Sequence, residues 1–315
     1  MLARVANNLF WMGRYLERSE HLARYMNVNY FSSLDAPSAI SQSRQFVLRS
    51  LLFMLGTPEQ DAGKTLQEEE ILYNIGLNPT YDHAILNNVK AIRENANGAR
   101  DLISTELYES INRFYHFVLN YDVDYFVKRG LYDFTIGVTQ RTAILRGKIR
   151  GTLLHDEIYS IIMMGVNIER ATQVIRMINA KYQDALTAKG SYGDQVGNSF
   201  EWTTLLRCAE SYDMMRRYYR KTPTVLSALE FLVLNGDCPR SVMNSLNQVC
   251  KHMDNLHLDQ PPNKDSTSFL AGKLRAEFQY LRVEDIEKDI NGFIQKILER
   301  LYQISNSMEK EFFQY

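Results

Sequence analysis

The chain has 315 residues, a length that suits about two domains. Its 45% apolar and 23% charged content is ordinary globular composition and excludes disorder, collagen and a disulfide scaffold. The 36 Lys and Arg against 37 Asp and Glu leave a net charge of -1, which supplies no global field to hold nucleic acid or an anionic membrane.

Glycine (16) and proline (7) are scarce, and scarce punctuation favours long helices. The N-terminal MLARVANNLFWMGRYLERSE puts Arg4, Arg14 and Glu17 where a signal peptide needs an apolar block. No run of apolar residues is long enough for a membrane span. Apolar spacing predicts a first helix from Leu2 to Tyr30, with Leu2, Leu9, Leu16, Ala23 and Tyr30 in one column and other faces apolar as well. Such a helix packs between neighbours. Thr57-Pro58, Thr222-Pro223 and Cys238-Pro239 read as helix starts, with the threonines and Asp237 as candidate N-caps. Lys189–Ser199 and His257–Ser268 read as loops. About a dozen helices fit between these breaks, with no alternating strand, so the class is all-α. Cys208, Cys238 and Cys250 are odd in number and lack a C-x-x-C pair, which reads as reduced thiols and a cytoplasmic protein without metal or cofactor.

Phe10–Arg24 (FWMGRYLERSEHLAR) returns at Ile162–Arg176 (IMMGVNIERATQVIR), 152 positions later, with five of fifteen residues identical. LNPTYDHAILNNV (Leu77–Val89) returns as LNGDCPRSVMNSL (Leu234–Leu246) at an offset of 157. Two tandem copies of one helical unit, 1–153 and 154–315, are therefore expected, packed as a single two-fold-like body.

Within the repeated Gly-x-x-x-Glu-Arg, Glu17 and Glu169 each fall in an apolar column, and the glycine lies where another helix can come close. A carboxylate at such a place has to be paired. Arg14, Arg18 and Arg24 are the partners expected for Glu17, and Arg170 and Arg176 for Glu169. This is either a site for a polar ligand or an interior ion-pair network that docks the copies. IRENANGARD (Ile92–Asp101) sets Arg93 and Arg100 on one face and Glu94 on the next: a clamp for an anion, or a salt-bridged surface. Asp285-x-x-x-Asp289 reads as a solvated helix start, RRYYRK (Arg216–Lys221) as a cationic helix end, and no Glu-x-x-His pair for a di-iron bundle occurs.

The segments NLFWMGRYLERSEHLAR, IRENANGARD, GVNIERATQVIR, WTTLLRCAESYDMMRRYY and FLVLNGDCPRSV, spread over most of the chain, resemble the alpha-E family of bacterial helical proteins. The resemblance implies partnership with ATP-grasp amide ligases and transglutaminase-like peptidases. By resemblance Gly13, Arg14, Glu17, Arg18 and Arg24 carry the first motif, and Gly165, Glu169, Arg170 and Arg176 the second; Arg93, Glu94, Arg100, Arg207, Pro239 and Arg240 fit the others. Val166 stands in the place of Arg14 and Thr172 in that of Glu20, so a site should lean on the first copy. The expected role is an accessory protein that binds such a ligase or its anionic peptide product. The alternative is an enzyme in which Glu17 is the general acid or base and Arg18, Arg93 or Arg100 holds a substrate carboxylate.

Overall fold

The computed structural model describes residues 2–57, 64–188, 197–256 and 263–313, with 197 and 198 described by backbone alone. Among the described residues there is no strand. In chain order the main helices are α1 (Ala3–Ser32), α2 (Arg44–Leu55), α3 (Glu68–Gly76), α4 (Ile85–Gly98), α5 (Thr105–Leu119), α6 (Leu131–Thr152) and α7 (Glu157–Thr187). There follow α8 (Gly197–Cys208), α9 (Tyr212–Tyr219), α10 (Val225–Leu229, passing into a π-helical turn Glu230–Leu234), α11 (Val242–Asp254), α12 (Thr267–Tyr280) and α13 (Ile290–Met308).

The long helices are buried on most sides, as their apolar columns require. Leu9, Phe10, Ala23, Tyr25 and Met26 of α1 and Ile162, Met164, Val174, Ile175 and Met177 of α7 have no exposure at all. α1 and α7 make the most extensive contact in the molecule. Around them the packing runs in parallel series: α4 lies on α1 and α11 on α7, α5 on α4 and α12 on α11, α6 on α1 and α13 on α7. α2 lies across α7 while α8 touches both long helices, so elements of each half cover the other half. Phe313 packs its ring 5.3 Å from that of Phe10, which joins the end of the described chain to α1.

The crossing of α1 and α7 is fixed by two glycines. A methyl group on Gly13 would overlap the Ile162 carbonyl oxygen, and one on Gly165 would overlap the Phe10 carbonyl oxygen. The missing side chains let the backbones touch, and they do so reciprocally.

Helix starts differ from the proline-based expectation. The cap before α10 is Thr224, in a reciprocal capping box with Ser227, and Thr222 is not used. Before α11 the cap is Ser241, whose side chain accepts from the Asn244 N–H at 2.9 Å, and not Asp237. Asp237 is unavailable because Asn235 Oδ1 already accepts from the Asp237 and Cys238 N–H groups, closing a turn that has to finish before the helix begins. Residues 189–196 and 257–262 of the two expected loops, and Pro58, lie outside the described residues; α8 begins at Gly197 and α12 at Thr267, inside the stretches read as loop. Lys288 pairs with Asp285 at the surface and Asp289 caps α13, which is the solvated helix start expected there. Cys208, Cys238 and Cys250 are free thiols. No described helix is long and apolar enough to cross a membrane.

Candidate functional site

The close crossing brings the two Glu-Arg pairs face to face, and they exchange partners. Adjacent residues on an α-helix point about 100° apart. Glu17 and Arg18 therefore address different neighbours. Arg18 of α1 donates to Glu169 of α7 through Nε at 2.7 Å and Nη2 at 3.0 Å. Arg170 of α7 donates to Glu17 of α1 through Nε at 2.6 Å and Nη2 at 3.0 Å. Both contacts are bidentate forks, the geometry in which guanidinium and carboxylate bind most strongly. The within-copy partners expected for each glutamate are thus corrected: Arg24 bonds Glu20, and Arg176 bonds the Tyr302 hydroxyl at 2.7 Å.

The Glu169 centre is completed by Arg14 Nε at 2.8 Å and Gln173 Nε2 at 2.8 Å. Arg14 also donates to Ser305 Oγ at 2.6 Å and stacks over the Trp11 ring at 4.8 Å. Burial pushes the Glu169 carboxyl up, but Arg18 and Arg14 outweigh it and hold the group well below the usual carboxylate range.

The Glu17 centre is larger. Besides Arg170 it takes a hydrogen bond from Arg240 Nη1 at 3.0 Å and one from His21 Nε2 at 3.0 Å. Burial favours the neutral acid, yet Arg170, His21 and Arg240 together keep Glu17 ionised, far below its ordinary pKa. Burial moves the His21 imidazole down to about 4, so near neutrality it is uncharged and its contact with Glu17 is a hydrogen bond rather than an ion pair. Its Nδ1 is buried without a partner.

One turn on, Glu20 is fully buried against Arg24, Arg146 and Arg240, the last at 2.8 Å. Glu210 reaches in from the turn after α8 and accepts from Arg240 at 2.5 Å and meets Arg24 at 3.1 Å. Arg240 is held for this by the 235–241 turn, which is tied together by Asn235 and Ser241. In all, six guanidiniums (Arg14, Arg18, Arg24, Arg146, Arg170, Arg240) meet four carboxylates (Glu17, Glu20, Glu169, Glu210), a surplus of two positive charges in a chain whose net charge is -1. Burial, together with the neighbouring Arg240, lowers Arg24 to about 10. Arg146 is lowered to about 10 in the same way, with Arg170 adding to the crowding.

On the solvent side of this network lies a cavity of about 350 Å³ bounded by Arg146, Arg150, Arg170 and Arg240, with Ile149, Met163, Val166 and Pro239 as apolar wall. The IRENANGARD residues are elsewhere. Arg93 donates to Asn112 at 2.8 Å and lies over Tyr115, Arg100 lies over Tyr108, and Glu94 is exposed, so they dress the α4–α5 contact and do not converge. Arg207 is exposed beside Tyr212. Arg176 lines a different groove with Tyr302.

Arg146, Glu20, His21 and Glu210 also belong to the network, and no motif in the sequence marks them as site residues. Arg146 is one of three arginines in RTAILRGKIR, and nothing local marks it as the inward one. A second interior cluster was also missed. Lys181 is buried between Asp184 at 2.7 Å and Glu201 at 3.2 Å, and Ser50 bridges Asp184 to the Tyr25 hydroxyl. Its signal was legible, because Lys181 continues the apolar column of Val174 and Ile178. No group of three or more His, Cys, Asp or Glu able to hold a metal occurs among the described residues.

Residues 1–313 match the model of the Alpha-E family, described as a predicted alpha-helical domain with a conserved ER motif. The chain belongs to the Alpha-E family. Its Glu-Arg pairs at 17–18 and 169–170 are the ones that exchange partners across the α1–α7 crossing. No curated protein and no solved structure matches the chain.

Proposed function

We propose that this Alpha-E protein is a non-catalytic binding partner of an ATP-grasp-type amide ligase, or of a transglutaminase-like protein acting on the same peptides, and that it works in the cytoplasm without a cofactor. What carries the reading is the state of Glu17. A general acid or base has to reach substrate and to titrate near the working pH. Glu17 is wholly buried, bonded to Arg170, Arg240 and His21, and held far below the ordinary carboxylate range. Glu169 is in the same condition. The motif therefore builds a rigid core and offers arginines, not a carboxylate, to the outside. Arg93, Glu94, Arg100 and Arg207 belong, in this reading, to surface used for docking.

The same reading takes the chain as two tandem copies, 1–153 and 154–315, in one two-fold-like body. Its support lies in hydrogen bonds that recur at the repeat offset. Asn78 Oδ1 accepts from Thr80 N and Asn235 Oδ1 from Asp237 N; Asn87 Nδ2 donates to the Pro79 carbonyl and Asn244 Nδ2 to that of Gly236. Each pair is separated by 157 positions.

Affinity capture with the ATP-grasp ligase of the same organism, followed by an ATP-dependent peptide-ligation assay with and without this protein, tests the role. The expected result is a stable complex and a change in rate or product length. A ligase that neither binds it nor changes its output overturns the proposal.

A further inference from the structure

The cavity outside the Glu17 network has a composition that the interior does not explain. Four of its lining residues are arginines, Arg146, Arg150, Arg170 and Arg240, and among the described residues no Asp or Glu lines it. The carboxylates that hold three of these arginines, Glu17 and Glu20, are fully buried behind them. The arginine side chains keep 25%, 12% and 9% of their surface exposed at Arg146, Arg170 and Arg240, so each lines the cavity while remaining partly accessible. Around the Glu17 centre Arg24, Arg146, Arg170 and Arg240 outnumber Glu17, Glu20 and Glu210 by one charge, before Arg150 at the rim is counted.

We propose that this cavity binds the oxyanion end, carboxylate or phosphate, of a small ligand with a short apolar body. Guanidinium is the group that matches such oxyanions in fork geometry. Anchored from behind, these arginines lose little freedom when a ligand arrives, which is the condition for tight binding by few groups. Ile149, Met163, Val166 and Pro239 supply the apolar wall, and about 350 Å³ is at the small end of ligand pockets.

The repeat explains why the cavity is open here. In α1 the residue after the crossing glycine is Arg14, which turns in to Glu169 and Ser305 and closes that centre. In α7 the same place holds Val166, which lines the cavity without filling it. Gly147 of α6 also lines the cavity, and among the described residues nothing beyond its own stretch of helix lies within 4 Å of where a Cβ would stand.

This deepens the binding role proposed above and rests on it only for the choice of a peptide carboxylate as first probe. The test is calorimetry and thermal shift on the full chain with N-acetyl-alanyl-leucine, its C-terminal amide, inorganic phosphate and pyrophosphate. One equivalent of a carboxylate or phosphate probe should bind more tightly than about 1 mM, with the amide at least roughly tenfold weaker than the free acid if the peptide is the ligand. Binding of the peptide alone assigns a carboxylate ligand, and binding of the phosphates alone a phosphate ligand. Gly147→Phe fills the open side and should abolish binding with an unchanged or higher melting temperature. Arg150→Gln, at an exposed residue outside the buried network, should weaken binding roughly tenfold, the loss of one charge-assisted bond. Absence of binding by either class of anion, or binding that Gly147→Phe leaves intact, overturns the site. Ligase capture without anion binding would remove this site and leave the partner role standing; anion binding without ligase capture would do the reverse.

Discussion

Glu17 accepts from Arg170, Arg240 and His21 with no water-facing surface, and this decides how it responds to substitution. Glu17→Gln keeps the shape but takes the carboxylate from Arg170 and leaves Arg240 with Glu20 and Glu210 alone. Breaking one side of a buried pair costs roughly 3–5 kcal/mol. Urea denaturation should show a loss of that size, and a Glu17→Gln, Arg170→Met cycle should return a coupling of about 1–3 kcal/mol. A Glu17→Gln protein as stable as the parent would sink the view of Glu17 as a core ion-pair residue. His21 gives a separate, pH-dependent expectation. Above an unfolded pKa of about 6.5 the ring is neutral in both states; below it the unfolded chain takes a proton that the buried ring refuses until about 4. Stability should therefore fall as pH drops through that window, by roughly 2 kcal/mol between about pH 7.5 and about pH 5 from this residue. His21→Gln should flatten the curve; His252, shifted in the same direction, keeps it from becoming level. The Glu169 contribution survives this window, because its depressed carboxyl starts to lose stability only as pH falls below the ordinary 4.5. A parent and a His21→Gln protein with parallel pH curves would refute the neutral buried ring.

At the scale of elements, the α1–α7 crossing depends on two absent side chains. Gly13→Ala and Gly165→Ala each force a methyl into a carbonyl oxygen of the facing backbone, which cannot rotate away. Overpacking of this kind costs about 1–3 kcal/mol, and backbone against backbone belongs at the upper end. Gly147→Ala on α6 meets nothing and should stabilise by roughly 0.5–1 kcal/mol through helix propensity. Thermal melts of the three variants should thus shift in opposite directions; a rise for all three would mean that helix entropy, not contact, governs these sites. These glycines also mark how far the sequence could be read. Their spacing to glutamate within an apolar column already required a close helix and a paired carboxylate. What local spacing cannot contain is which helix comes close, so it points Arg18 and Arg170 to the glutamates of their own segments, whereas the structure exchanges them. Arg240 was available from the repeated LNGDCPRSV segment, but its aim at Glu17, Glu20 and Glu210 is set by the turn that Asn235 ties. Arg146 had no local mark at all, since Arg141 and Arg150 share its helix and differ only in what packs opposite.

For the whole molecule, the exchanged pairs bear on whether 1–153 and 154–315 are domains in the folding sense. Each half places a glutamate in its own long helix and obtains the matching arginine from the other. α2 covers α7, and α8 touches α1. Separating the halves would expose Leu9, Phe10, Met12 and Leu16 on one side and Ile162, Met164 and Ile168 on the other wherever the crossing now covers them, at about 1.5–3 kcal/mol for each side chain fully uncovered. It would also leave Glu17 without Arg170 and Arg240, and Glu169 without Arg14 and Arg18. A domain is stable by only about 5–15 kcal/mol in total, so losses of this kind at several positions exceed the available margin. Residues 1–153 or 154–315 expressed alone should show no cooperative thermal transition by circular dichroism, whereas the two expressed together should co-purify and melt as one species. Charge supplies the control: Arg18→Glu with Glu169→Arg, reversing one fork, should recover part of the association that either single change weakens, the rest being lost to Arg14, which also faces residue 169. A monomeric 1–153 that melts cooperatively would show instead that the duplication made two domains, with the Glu-Arg exchange a later interface between them.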